Sequence, residues 1–123
     1  MATQTTIDYA MRILPEMIRC AQLRQTITYG DLAHRADLHH RALPWALGYI
    51  RDELCDARGL PLLNVIVINK DTGEPGVSFL PDGTDHLSRA EYTQAFELIR
   101  DQVFACDRWD SLMKDLGLVS ATF

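Results

Sequence analysis

The chain has 123 residues, 47% of them hydrophobic, enough for one compact domain with its own core and too few for two comfortable ones. Twelve Lys and Arg stand against 17 Asp and Glu, a formal charge of −5, which argues against indiscriminate polyanion binding because counterion release needs a positive surface. Residues 1–70 hold 8 basic and 7 acidic side chains and residues 71–123 hold 4 and 10, so any nucleic-acid face belongs to the first part. Cys20, Cys55 and Cys106 are an odd, widely spaced set without a CxxC pair, as expected of reduced thiols in a cytoplasmic protein. No apolar run approaches the roughly 18 residues of a membrane span, and the polar start Thr3-Gln4-Thr5-Thr6 does not resemble a signal peptide.

From Thr5 to about Leu23, Ile7, Ala10, Met11, Leu14, Met17, Ile18 and Ala21 keep a helical period. Pro15 interrupts it, which predicts either a kink or two short helices meeting at Leu14. Thr26 and Ile27 read as a minimal strand. Thr28 and Asp31 have the spacing of a capped helix start, so a short helix should open near Tyr29, with Leu32, Ala33 and Ala36 inward. A second helix is predicted from about Arg41 to Ala57, with Leu43, Ala46, Leu47, Ile50 and Leu54 as its apolar stripe. Its other side carries Arg41, Pro44, Trp45, Gly48, Arg51 and Asp52. Pro44 in the first turn and Gly59 just past the end mark its limits.

Leu62 to Ile68 is a nearly continuous, β-branched apolar run, and Asp71, Gly73, Pro75 and Gly76 supply turn chemistry, so 61–81 reads as a β-hairpin. Because the run lacks alternation, its strand should be covered on both faces. Ser88 and Glu91 have capping-box spacing, and Tyr92, Ala95, Phe96, Ile99 and Val103 form the stripe of a helix over 89–105 that would supply that cover. A last short helix around Asp110 to Leu116 should end at Gly117. The expected architecture is a single α+β domain over 1–123, a winged helix-turn-helix. Its three-helix core covers about 5–58, its wing about 61–81 and its added C-terminal helices about 88–117.

The stretches ITYGDLA (27–33) and RALPWAL (41–47) resemble the C-terminal winged helix-turn-helix of the alkylguanine-DNA alkyltransferases and alkyltransferase-like proteins, over about a quarter of the chain. The resemblance implies that Tyr29 lies against a DNA backbone and that Arg41 fills the space left by an extruded base. The family's PCHRV cysteine motif is missing. The corresponding stretch is PLLNVIVINKDTG (61–73), and Cys55 falls too early, within the second helix. Alkyl transfer needs an activated thiolate, so that chemistry is not expected. Pro44 and Trp45 also replace the small residues that let such a helix sit deep in a minor groove. HHRALP (39–44) and NKDTGEPG (69–76) further resemble stretches of a group of small bacterial proteins.

Candidate DNA contacts are Tyr29, Arg35, His40, Arg41, Trp45, Arg51 and Lys70, for phosphates and a few groove edges of double-stranded DNA. Asp52, Glu53 and Asp56 on the same helix would repel phosphates, and the plainer reading makes these cations ordinary solvated charges with Trp45 in the core. His34, His39 and His40 have no carboxylate or thiol at ligand spacing, so no metal or cofactor is expected. One of His39 and His40 should cap the second helix. Asp71-Thr72-Gly73 is turn chemistry rather than half of an aspartic protease. Cys106 reads as a core filler, and no catalytic set stands out, so the chain is not expected to be an enzyme. The acidic face of 82–115, with Glu91, Glu97, Asp101 and Asp107, is either a solvated surface or a site for a basic protein partner or a homodimer contact. The latter would suit an adaptor, inhibitor or immunity factor.

Overall fold

The computed structural model describes residues 3–118, so the domain expected over 1–123 runs beyond the described residues at both ends. The fold is α+β and mostly helical: α1 Gln4–Gln22, β1 Ile27–Thr28, α2 Tyr29–Ala36, α3 Leu43–Tyr49, β2 Val67–Ile68, α4 Arg89–Ala105 and α5 Trp109–Asp115. Thr3 caps α1 by accepting from the Thr6 amide, and Pro15 is accommodated inside one continuous helix rather than dividing it in two. Thr28 ends β1 and caps α2 through the Asp31 amide, 3.2 Å away. The α2 C-cap is Asp37 in left-handed backbone, φ +55°, and the Arg12 guanidinium donates to Ala36 O (2.6 Å) and Asp37 O (3.1 Å). A long side chain from α1 thus satisfies carbonyls that the end of α2 leaves free.

The second helix predicted over 41–57 forms a helical rod over 40–58, but not a uniform one. A 3-10 turn His40–Ala42 leads into α3, which continues as a π-helical stretch Ile50–Cys55 and a 3-10 turn Asp56–Arg58. His39 Nδ1 accepts from the Arg41 amide at 3.2 Å, which makes it the capping histidine. Leu43, Ala46, Leu47, Ile50 and Leu54 are all buried as predicted, and the wider π turn brings Cys55 into the core beside Leu54. Gly59 closes the rod at φ +69°.

The predicted hairpin over 61–81 does not form. Leu63–Ile66 is a 3-10 turn, and the one described strand of this stretch, β2, pairs in parallel with β1, Ile27 opposite Val67 and Thr28 opposite Ile68. Leu62, Leu63, Val65, Ile66 and Val67 are all buried, so the apolar run that looked like a ladder strand is a core-crossing segment. A hairpin would have left one edge of it in water. The expected cover by α4 is present, and α1 packs against Leu63–Ile66 as well. Beyond β2 the chain turns tightly, closed by Asn69 N–H to Glu74 O at 2.8 Å, and runs without regular structure to Ser88.

The capping box at the start of α4 is complete: Ser88 Oγ accepts from the Glu91 amide (3.2 Å), and Glu91 Oε1 accepts from the Ser88 amide (3.0 Å). Tyr92, Phe96 and Val103 are buried. Trp109, the largest fully buried side chain, opens α5 and donates Nε1–H to Val103 O at 3.0 Å, so one side chain joins the last two helices. No helix among the described residues is long and apolar enough to cross a membrane.

Candidate nucleic-acid interface

With its apolar stripe in the core, the rod over 40–58 must present its opposite side to solvent. His40, Arg41, Pro44 and Trp45 are exposed there, and Trp45 is 74% exposed, which excludes the reading that places it in the core. Arg41 and Trp45 are one turn apart, the spacing at which helical side chains are neighbours. The His39 and His40 rings lie against each other, centroids 4.3 Å apart and 30° from parallel. His40, Arg41 and Trp45 are all exposed along this first part of the rod, with Arg41 and Trp45 at neighbouring spacing.

Arg51 is not a free groove contact. Its Nε and Nη2 donate to the two Asp52 carboxylate oxygens at 2.7 and 2.8 Å, and its Nη1 donates to Ser78 O at 2.7 Å. The hydrogen bond from Arg51, followed by its charge, holds the Asp52 carboxyl below the usual carboxylate range against an opposing effect of burial. The same hydrogen bond holds the Arg51 guanidinium above its ordinary value.

Tyr29 is half-buried, and its hydroxyl accepts from the Gly76 amide at 2.9 Å. Arg35 is turned onto α1, with Nη1 at 3.9 Å from both Glu16 Oε2 and Cys20 Sγ. It lies in the last turn of α2, two residues before the Asp37 C-cap, and reaches that neighbour rather than the rod. Lys70 is exposed at the tip of the 69–74 turn, next to exposed Asp71.

Tyr29 and Arg51 meet instead across a cleft of about 270 Å³ walled by Pro44, Leu47 and Gly48 of the rod, by Asn64 and by residues 75–79. Every residue of 75–79 has a backbone group held by a side chain from elsewhere. Tyr92 donates to Pro75 O, Gly76 donates to Tyr29, Thr84 donates to Val77 O, Arg51 donates to Ser78 O, and Asn64 Nδ2 donates to Phe79 O at 3.0 Å. The Phe79 ring packs edge-on against Tyr92, centroids 5.1 Å apart. This segment has no ladder to satisfy its backbone, and side chains take over that role. Tyr92 was legible as part of an apolar helix stripe but not as a tether, and Asn64 and Thr84 carry no signal in the sequence, where nothing distinguishes a polar residue that will tether a loop from one that faces water. Val77, 75% exposed, stands at the crest of the tethered loop.

Burial pushes the Cys55 thiol up to about 11 and raises that of Cys20 as well, where the nearby Arg35 charge acts in the opposite direction. A thiol in either place stays protonated at neutral pH and is a poor nucleophile. On α4, Glu97 and Asp101 are exposed one turn apart with Leu98, itself 60% exposed. Arg100 donates to Asp101 Oδ1 at 3.3 Å, and Glu91 is occupied by the capping box. Asp107 is exposed beyond the end of α4. No family model, curated protein or solved structure matches the chain significantly.

Proposed function

We propose that this is a non-enzymatic DNA-binding protein of winged-helix type, in which the rod over 40–58 is the reading element and the loop beyond β2 takes the wing's place. The observation that carries the reading is Trp45, 74% exposed on a helix whose back is in the core and joined there by exposed His40 and Arg41. A large aromatic one turn from an arginine on an outward helix suits contact with bases and phosphates. The buried, protonated state of Cys55 supports the exclusion of alkyl transfer.

The test is binding of fluorescently labelled DNA, single strand and duplex, at low salt. Arg41→Ala with Lys70→Ala should weaken binding and reduce the dependence of log affinity on log salt by about one for each phosphate contact removed. Arg51 is left intact because it holds the 75–79 loop. If neither form of DNA binds, the reading is wrong.

A second reading rests on exposed Leu98 between Glu97 and Asp101: an apolar centre with acidic neighbours suits a basic protein partner. Asp101→Lys with Asp107→Lys would then release a partner co-purifying from the native source and leave DNA behaviour unchanged.

A further inference from the structure

We propose that the surface of His40, Arg41 and Trp45 takes unpaired bases, so that the preferred partner is single-stranded or gapped nucleic acid rather than closed duplex. This rests on the nucleic-acid reading above and narrows it by weighing charge against stacking. Duplex binders draw most of their grip from phosphate neutralisation, and several contacts are needed for a substantial effect. Here Arg51 is committed to Asp52 and Ser78, Arg35 is turned onto α1, and only Arg41 and Lys70 of the expected Lys and Arg contacts remain exposed and outside any ion pair among the described residues. Glu53 and Asp56 are exposed on the same rod, and the whole chain carries −5. Counterion release can therefore contribute little.

The surface is instead rich in flat groups. Trp45 is 74% exposed, Arg41 offers a planar guanidinium one turn away, and just before it in the chain the exposed His39 and His40 rings lie 4.3 Å from each other. Stacking of a base on such a group needs no net charge and tolerates any sequence. Base faces in a closed duplex are covered by their neighbours and must be pried apart before an indole can reach them, whereas in a single strand they are open. Pro44 and Trp45 also give this side of the rod a bulk that opposes seating in a narrow groove.

The experiment compares an oligothymidylate, a mixed-sequence single strand and the matching duplex, read by anisotropy and by quenching of tryptophan emission. Trp109 is 1% exposed and shielded from a bound strand, so quenching reports Trp45. The single strands should bind more tightly than the duplex. Trp45→Ala should lose about tenfold on single strands with an unchanged salt slope. Trp45→Phe should recover most of that affinity, and an unchanged melting temperature for both variants shows that the fold is intact. Duplex binding as tight as single-strand binding, or a Trp45→Ala variant that binds single strands normally, overturns the proposal. If Arg41→Ala still weakens binding in that case, the DNA reading stands and this inference alone falls. Absence of binding to every probe removes both.

Discussion

Arg51 donates three hydrogen bonds, two to its neighbour Asp52 and one to the carbonyl of Ser78, across 27 residues of chain. Arg51→Ala should therefore destabilise the fold by about 2 kcal/mol, the scale for hydrogen bonds to a charged group, with the loss visible in urea unfolding. The pH dependence follows from Asp52, whose carboxyl is held below its ordinary 3.8. A depressed folded value means that the stabilisation is present above 3.8 and is lost as acid protonates the folded carboxyl below it. Asp52→Asn should accordingly make the acid loss of stability shallower below that pH; an unchanged acid limb would show that the pair contributes nothing. At Gly76 a Cβ would lie 3.1 Å from the Tyr29 hydroxyl, tighter than the contact allows without movement. Gly76→Ala should cost about 1 kcal/mol by breaking the Tyr29 hydrogen bond, and much less in a Tyr29→Phe background, a coupling that a double-mutant cycle measures.

At the scale of elements, the end of α2 combines an unfavourable backbone with an external cap. Asp37 adopts φ +55°, a region that only glycine enters without steric cost, while Arg12 bonds the carbonyls of residues 36 and 37. Asp37→Gly should raise stability by about 0.5 kcal/mol and Arg12→Ala should lower it by about 1–2 kcal/mol, both read from the urea midpoint. A destabilised glycine variant would mean that the aspartate side chain has a role beyond the turn. The rod over 40–58 shows the complementary case. Its apolar stripe was legible from spacing alone because a helix buried on one side must repeat its apolar residues. Its change from α to π hydrogen bonding at Ile50 was not, since either winding satisfies the same residues locally.

Across the whole molecule, the thiols report on how tightly the core is closed. Cys20 and Cys55 are buried, and Cys106 is partly exposed. A thiol reagent should therefore label Cys106 in the native chain and reach Cys55 at the rate of unfolding. Because burial raises Cys55 from 9.0 to about 11, the unfolded chain ionises first, and stability present below pH 9.0 is lost as pH rises toward about 11. Cys55→Ala should flatten that alkaline loss while costing some stability at neutral pH; an equally steep limb would show that another group is responsible.

What the sequence determined by itself was mainly local. The Thr28 cap, the capping box at Ser88, the glycine stop at Gly59 and the limits of α4 all depend on residues within one or two turns of each other. It also indicated that Leu62 to Ile68 should be buried on both faces, because a nearly continuous apolar run without alternation has no polar face to turn to water. Which strand it pairs with was decided by the tertiary structure. Such a run announces burial but not a partner, and β1 lies about forty residues earlier in the chain. The candidate site divides in the same way: spacing placed Arg41 and Trp45 side by side on an outward face. The commitment of Arg51 and Tyr29 to the 75–79 loop, and the exposure of Trp45, required packing between distant segments, which sequence spacing does not record.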